Sequence, residues 1–578
     1  MSSITSFKTK KLSADFCVVG GGMAGVCAAI SAARNGIKTI LMQDRPVLGG
    51  NASSEIRMWI CGADKPDNRE AGILEELQLE NLYRNPKLLY TLWDHVLYGK
   101  CIEQENLTVV LNCTVHDVTV DEQGKNIRFV KGWHLTEQCY YQVDAKMFAD
   151  CSGDSVLRAS GAEFRRGRET RDEFNESHAP EKADDKTMGN SILIQLRETD
   201  HHVPFIPPEW ANKYTVEDLP NRPLKTHDNF WWLEIGGVNN TITDADMIRD
   251  ELLKMAYGVW ALIKNHPDGR GHNWELDWIG SLPGKRENIR YVGDHILNQN
   301  DVEAEGRFDD IVAYGGWPMD DHHPEAIKHP GKPTIFHRAP SPFGIPFRCL
   351  YSKNIDNLLF AGRNISATHM AMSATRVMST CSIMGQAIGT AAAIALKSSL
   401  SPREIYEMKI GELQALLIEQ DCYIPWHKRK MSALTKDASL TVSSGSPDNL
   451  LNGIERGLSG EDNGWWGDEN DTITLTWKKP IKAKRIRIVF DTDFSGFKRM
   501  RCNYPKDYPP VTMPSMLAKD FEIEVCAGDT WQVVHQIKNN RRRLGMLNLP
   551  VKEISACRLR LKSAWGQSKM HVYSFEAV

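Results

Sequence analysis

The stretch FCVVGGGMAGVCAAISAARNG, residues 16–36, decides how the chain is read. Phe16 to Val19 is a short apolar run with β-branched members, the pattern of a parallel strand buried on both faces. It passes directly into Gly20-Gly21-Gly22-Met23-Ala24-Gly25, a G-x-G-x-x-G turn. An alanine-rich stretch from Val26 to Asn35 follows, with Gly36 placed to stop a helix. A second apolar strand, Thr39 to Met42, comes next. Strand, glycine turn, helix and strand make the first half of a Rossmann-type dinucleotide unit. Gly20 permits the tight turn, Gly22 lets main-chain amides approach a pyrophosphate, and Gly25 with Ala29 and Ala33 lets the helix pack close. The anion is then held at the positive end of the helix, by N–H groups with no intrahelical partner.

The carboxylate that usually receives the ribose hydroxyls should close the second strand. Here that position is Gln43, followed by Asp44 and Arg45. Gln43 can hydrogen-bond a ribose and Asp44 is one residue away, whereas Arg45 would suit the 2′-phosphate of NADP. Later segments favour FAD. Glycine-bearing strand ends return as MFADCSGD (147–154) and NLLFAGR (357–363), and a cofactor longer than one βαβ unit can hold needs such returns.

Those segments belong to a longer series: DRPVLGGNASSEIRMWICG (44–62), FADCSGDSVLRASGAEFRRGRE (148–169), SLPGKRENIRYVGDHIL (281–297), YGGWPMDDHHP (314–324), IPFRCLYSKNIDNLLFAGRNIS (345–366) and RVMSTCSIMGQAIGTAAA (376–393). The series resembles the glutathione-reductase-like FAD superfamily, and more narrowly the FAD-dependent oxidoreductase family found in carbohydrate-degrading gene sets of gut bacteria. The resemblance implies non-covalent FAD near Gly20, Gly22, Gly25, Gln43, Gly50, Asn51, Gly153 and Gly362. The full cofactor set expected here also takes in Met23, Ala24, Asp44, Arg45, Gly49, Val115, Ser152, Asp154 and Arg363. In the wider superfamily the last strand ends Gly-Asp or Gly-Glu; in this chain it ends Gly362-Arg363.

The expected fold class is α/β: a Rossmann-type FAD-binding domain with an inserted α+β substrate domain, followed by a C-terminal β-sandwich of jelly-roll type. The FAD-binding domain is expected over 13–160 and again over 346–400, with the inserted cap at 161–345. A helical linker is expected at 401–436 and the sandwich at 437–578. The inserted stretch is polar, rich in Trp and His, and low in long helical periodicity. From about 437 the periodicity turns to two: Ile473, Leu475 and Trp477 alternate with threonines, and Phe521, Ile523 and Val525 with glutamates. This region resembles a galactose-binding-like, discoidin-type module, a kind that serves either glycan binding or rigid packing. Trp465 and Trp466 suit stacking on a sugar or core packing.

At 578 residues, with 41% hydrophobic and 25% charged residues, the chain has globular composition and room for several domains. A net charge of −4 with signs interspersed gives no footprint for nucleic acid or an anionic membrane. Thirteen scattered cysteines without a C-x-x-C pair read as free thiols, and no metal site is expected. The most apolar segment, 381–396, is short of the ~20 residues of a membrane span and carries Gly385 and Gly389. The N-terminus lacks the apolar core of a signal peptide, so a cytoplasmic setting is expected, or a periplasmic one had a signal peptide been removed. The expected partner is a small carbohydrate or glycoside; the electron acceptor is unassigned and self-association stays open.

Four residues are expected to carry chemistry. His369 follows the Gly362 turn and would face the isoalloxazine as a base. Arg376 opens the next helical run and would hold flavin or substrate oxygens, or anchor the helix to a carboxylate. Arg57, beside Glu55, would bind an anionic substrate group or pair with that acid. His322, in Asp320-Asp321-His322-His323, would contact substrate or move a proton. Arg286 and Glu287 are expected to form an internal ion pair. The expected activity is oxidation of a secondary alcohol of a sugar or glycoside, by hydride transfer to flavin N5. Redox-neutral cleavage of a glycoside by oxidation, elimination and reduction is the alternative, and a flavin-containing glycan-binding protein without catalysis is the third reading.

Overall fold

In the computed structural model, residues 7–496, 498–528, 530–550 and 553–578 are described. The chain divides into two compact units that are interleaved in sequence. The first comprises Met1–Ala63, Leu88–Gln414 and Arg499–Pro509; the second comprises Asp64–Lys87, Ala415–Lys498 and Pro510–Val578.

The first unit is built on a parallel five-stranded sheet. Its strands are β1 (Phe16–Val19), β2 (Thr39–Met42), β3 (Leu107–Val110), β4 (Met147–Asp150) and, after β5 (Met319–His322) and β6 (Thr334–His337) of a separate hairpin, β7 (Leu358–Phe360). Their order is β7-β4-β1-β2-β3, with every pairing parallel. The chain winds outward from β1 through β2 to β3 and then crosses back to β4. Strand order therefore reverses between β1 and β4, and the loops leaving those two strands part to form a crevice. β1 is nearly inaccessible to solvent along its whole length, as expected of a central strand whose apolar run is unbroken.

Two helices from opposite ends of this unit lie side by side: α1 (Met23–Arg34) and, as numbered in chain order after α2 (Ile73–Arg84), α3 (Ala245–Lys264) and α4 (His369–Thr375), α5 (Met378–Ser398). A Cβ on Gly385 would meet the Ala24 carbonyl oxygen at 2.1 Å, and one on Gly389 would meet that of Ala28 at 2.3 Å. Both pairs advance by four residues in the same direction, so the helices run parallel, with their N-termini at the same end. Ser31 adds a hydroxyl contact to Thr390 at 2.8 Å. The glycines that break the apolar stretch 381–396 in sequence are therefore the seam of a close helix pair. At 21 residues α5 is long and apolar enough to cross a membrane by length and composition, and 94% of its apolar window is buried.

The inserted stretch holds its own core. α3 presents Ile248, Leu252, Met255, Val259, Trp260 and Ile263 to Ile192, Ile194, Leu196, Phe230 and Trp232. This twenty-residue helix departs from the expected low helical periodicity. Its apolar stripe is clear within 245–264 and is diluted only when the polar loops on either side are averaged in.

In the second unit two antiparallel sheets share one core. The five-stranded sheet contains Thr472–Ile481, Ala518–Ala527 and Ile554–Ala564; the four-stranded one contains Arg485–Phe490 and Met570–Ala577. Ile473, Leu475 and Trp477 point inward and the threonines between them do not, so the two-residue periodicity maps onto the sheet faces. Phe490 and Phe521, one from each sheet, meet with ring centroids 5.0 Å apart. Trp465 is buried, whereas Trp466 is 37% exposed and lies flat on His571 at 4.1 Å. The thirteen cysteines form no disulfide among the described residues.

Candidate active site

A cavity of about 420 Å³ opens where β1, β2, β4 and β7 end. Its walls bring together Gly20, Gly22, Met23, Ala24, Gln43, Asp44, Arg45, Gly49, Gly50, Asn51, Val115, Ser152, Gly153, Asp154, Gly362 and Arg363. Gly25 is the one member of the expected cofactor set that does not line it. A Cβ there would meet the Gly20 carbonyl oxygen at 1.8 Å, so Gly25 serves the packing of helix onto turn. Gly20 holds φ +102°, a conformation that side chains strain to adopt, and Ser152 leaves no room for one. Nothing lies within 4 Å of a Cβ on Gly22, whose main chain is open to the cavity.

Gln43 closes β2 and accepts the Gly21 amide at 2.6 Å, so its carbonyl oxygen braces the turn. Asp154 is held by two cations. Arg363 Nη2 lies 2.7 Å from one carboxylate oxygen and Lys285 Nζ 2.6 Å from the other. Against the burial that would raise it, these charges keep the Asp154 carboxyl below the usual range. Arg363 also donates to the Gly153 and Lys285 carbonyls. In place of an acid at the end of the last strand, the chain thus sets an arginine that fastens the Ser152–Asp154 loop.

Two helix N-termini face this cavity. α1 starts after Gly22 and α5 after Val377, neither with a side-chain cap nor an acid in its first turn. Uncapped amides at the N-termini of two parallel helices favour negative charge. With the bare glycine turn, this donor set fits the pyrophosphate and polar edge of FAD. Gly20, Gly22, Gly50, Ser152 and Gly362 are the residues that would hold it, with Cys113 to Val115 as a further wall.

A second part of the same cavity is lined by His322, Asp320, Arg376, Arg286, Asn229, Trp231, Trp317, Phe336 and Arg499. His322 sits on β5, almost fully buried. Its Nδ1 is 2.6 Å from Glu234 and its Nε2 is 3.3 Å from Asp320. Asp320 also accepts from Arg376 Nη2 at 3.0 Å and from the Thr334 hydroxyl at 2.5 Å. Burial would raise both acids, yet His322 and Arg376 hold Asp320 down, and Arg286 and His322 hold Glu234 down, so both are anions. Arg286 spends its donors on the Gly189 and Trp231 carbonyls and the Ser191 hydroxyl.

Of the four residues expected to carry chemistry, His322 and Arg376 reach the cavity; His369 and Arg57 do not. His369 lies behind β5, with Nδ1 2.9 Å from Glu287 and Nε2 3.1 Å from Asp321. Burial alone would lower it, but the two carboxylates raise it to about 10. A histidine protonated at neutral pH cannot take a proton from an alcohol. Arg57 donates to the Gln195 amide oxygen at 2.5 Å and stacks over Trp278, so the expected pair with Glu55 does not form. Glu55 is nearest to Arg45, at 3.8 Å. The expected Arg286–Glu287 pair is also replaced: Arg286 lies 3.4 Å from Glu234, and Glu287 bonds Arg290 and His369. Glu234 and Trp231, which meet His322, and the nearby Asn229 were not anticipated, because nothing in the run NFWWLEIGG marks an acid that meets a histidine 88 positions later. Outside the cavity, His323, Glu325 and His329 bring ligand-type atoms within 4.8 Å of one another. The two imidazoles are stacked face to face, which keeps their in-plane lone pairs from converging on one ion.

The chain is similar to a geranylgeranyl bacteriochlorophyll reductase-like protein from Thermoplasma acidophilum, at 13% identity over 72% of this chain and 85% of that one, with a TM-score of 0.33. It is also similar to the family 32 carbohydrate-binding module of EndoD from Streptococcus pneumoniae, at 16% identity over 25% of this chain and 99% of that one (TM-score 0.20). The family 32 module of NanJ from C. perfringens, solved with galactose, shares 8% identity over 25% of this chain and 96% of that one (TM-score 0.19). No curated protein matches the sequence. The model of the family described as FAD dependent oxidoreductase matches residues 15–417, the span that carries the glycine turn, the returning strand ends and every cavity-lining residue but Arg499; the chain belongs to that family, and it is an FAD-dependent oxidoreductase enzyme.

Proposed function

We propose that this enzyme oxidises a secondary alcohol of a sugar or glycoside to the ketone. FAD, when bound, supplies the two-electron acceptor for the hydride that leaves the carbinol carbon. His322 takes the hydroxyl proton. The carboxylate of Glu234 accepts the Nδ1 proton and fixes the ring orientation, and Asp320 faces Nε2, so the ring and Asp320 together receive the hydroxyl proton. Once protonated, the ring lies between two anions, Glu234 and Asp320, which stabilise its charge without having to move. Trp231, Trp317 and Phe336 give the wall flat apolar faces of the kind on which sugar rings stack, and they narrow the access of water.

The observation that carries this reading is the 2.6 Å contact between His322 and Glu234 in the wall of the cavity that also contains the glycine turn. Anaerobic titration of the FAD-loaded protein with sugars and glycosides tests it. A substrate of the proposed class bleaches the flavin absorbance, and the ketone appears in equal amount. His322→Gln keeps the hydrogen-bonding shape without the base. It should retain the yellow cofactor and slow bleaching by about 10²–10⁴-fold, the usual worth of a general base. An unslowed variant would remove His322 from the mechanism, and a flavin that no sugar bleaches would remove the substrate class.

A further inference from the structure

We propose that the sugar carries a carboxylate, as in a uronic acid or its glycoside, and that Arg376 binds that group. This rests on the function proposed above and names its substrate class. Around His322, the ionisable side chains that line the cavity are three guanidinium groups (Arg286, Arg376 and Arg499) and one acid, Asp320. Asp320 has no capacity to spare, because His322, Arg376 and Thr334 already take its oxygens. Arg376 reaches Asp320 through Nη2 alone, and its Nε is buried without any hydrogen-bond partner. A buried guanidinium N–H left unmade costs more than a neutral one. The remaining cations of the cavity are engaged elsewhere, Arg363 and Lys285 with Asp154 and Arg45 beside Asp44 and Glu55. The unsatisfied donor is therefore next to the proposed base, on a wall that carries Arg286, Arg376 and Asp320, with Glu234 behind His322. A planar anion that accepts from Arg376 suits it by charge and shape. A neutral hydroxyl would fill the donor without the added strength of a charge-assisted bond.

The test uses the full-length, FAD-loaded protein and two pairs of probes: methyl β-D-glucuronide against methyl β-D-glucoside, and the galacturonide against the galactoside. Calorimetry on His322→Gln reads binding without turnover, and anaerobic bleaching of the unaltered enzyme reads reaction. The uronides are expected to bind at least tenfold more tightly than their neutral partners and to have the higher rate at low concentration. In Arg376→Gln the uronide-to-neutral ratio should fall toward one, with Arg376→Lys between the two. The flavin absorbance of each variant shows that the site has formed. A ratio at or below one in the unaltered enzyme overturns the proposal. So does a ratio that Arg376→Gln leaves unchanged, which would assign the guanidinium to the cofactor. Bleaching by the neutral glycosides alone defeats the carboxylate and leaves the parent function standing; if no glycoside of either kind bleaches the flavin, both fall.

Discussion

At His369 three carboxylates converge: Glu287 and Asp321 on the ring nitrogens and Glu169 on the main-chain amide. The ring is 2% exposed, so its charge is answered by these groups and not by water. Its pKa in the folded protein, about 10, lies above the 6.5 of a free histidine. A group raised in this way contributes stability that is full below pH 6.5 and is lost as the pH climbs through about 10. Thermal unfolding across pH 6 to 11 should therefore show a decline that His369→Gln flattens, since the variant lacks the titrating ring. Parallel curves for the two proteins would contradict the assigned charge. The same position shows what a linear reading can and cannot reach. Its place after the Gly362 turn was legible, and so was the histidine two strands of sequence earlier on β5. Which of the two rings faces the cavity depends on Glu234 and Glu287, acids whose positions follow from chain crossings and from no local pattern. The glycine-rich lining of the cavity was legible for the opposite reason: Gly20, Gln43, Ser152 and Gly362 follow directly or closely on short apolar strands, where a glycine turn marks them in sequence.

The seam between α1 and α5 is the element on which cofactor binding depends, because it aligns the two helix N-termini. Gly385→Ala would place a methyl group 2.1 Å from the Ala24 carbonyl oxygen, a main-chain atom that moves only if the helix moves. Alanine improves helix propensity by about 0.5–1 kcal/mol, whereas overpacking costs about 1–3 kcal/mol, so the clash should win. The expected result is a lower melting temperature and weaker retention of FAD on gel filtration. Gly411→Ala, in the helix Pro402–Glu419, provides the contrast: nothing lies within 4 Å of the new Cβ, and a small gain in stability is expected. If both substitutions behaved alike, propensity would explain them and the seam would not. In sequence the glycines of α5 looked like interruptions. Only the partner helix, some 360 residues away, reveals their use.

For the molecule as a whole, the interleaving of the two units predicts how fragments behave. α2 belongs to the second unit, where Glu75 receives both Arg69 and the buried ammonium of Lys498. Residues 437–578 expressed alone would keep Lys498 and lose Glu75, leaving a buried cation without its anion. That fragment should show strand signal by circular dichroism but no sharp thermal transition, and a cooperative melt would refute the expectation. The alternating strands of this unit were plain in the sequence. The helix contributed from residues 64–87 was not, since its pattern is that of any amphipathic helix in the first domain.

The same interleaving bears on how the protein is made. Ribosomes release the chain from residue 1 onward, yet Arg499–Pro509 belongs to the unit that begins there. That unit stays incomplete until Arg499–Pro509 has been translated, and α2 must wait for strands made long after it. At roughly 5–20 residues per second the nascent polypeptide spends tens of seconds with unmatched apolar surface. The order of its segments thus prolongs the interval in which a chaperone could engage the nascent chain.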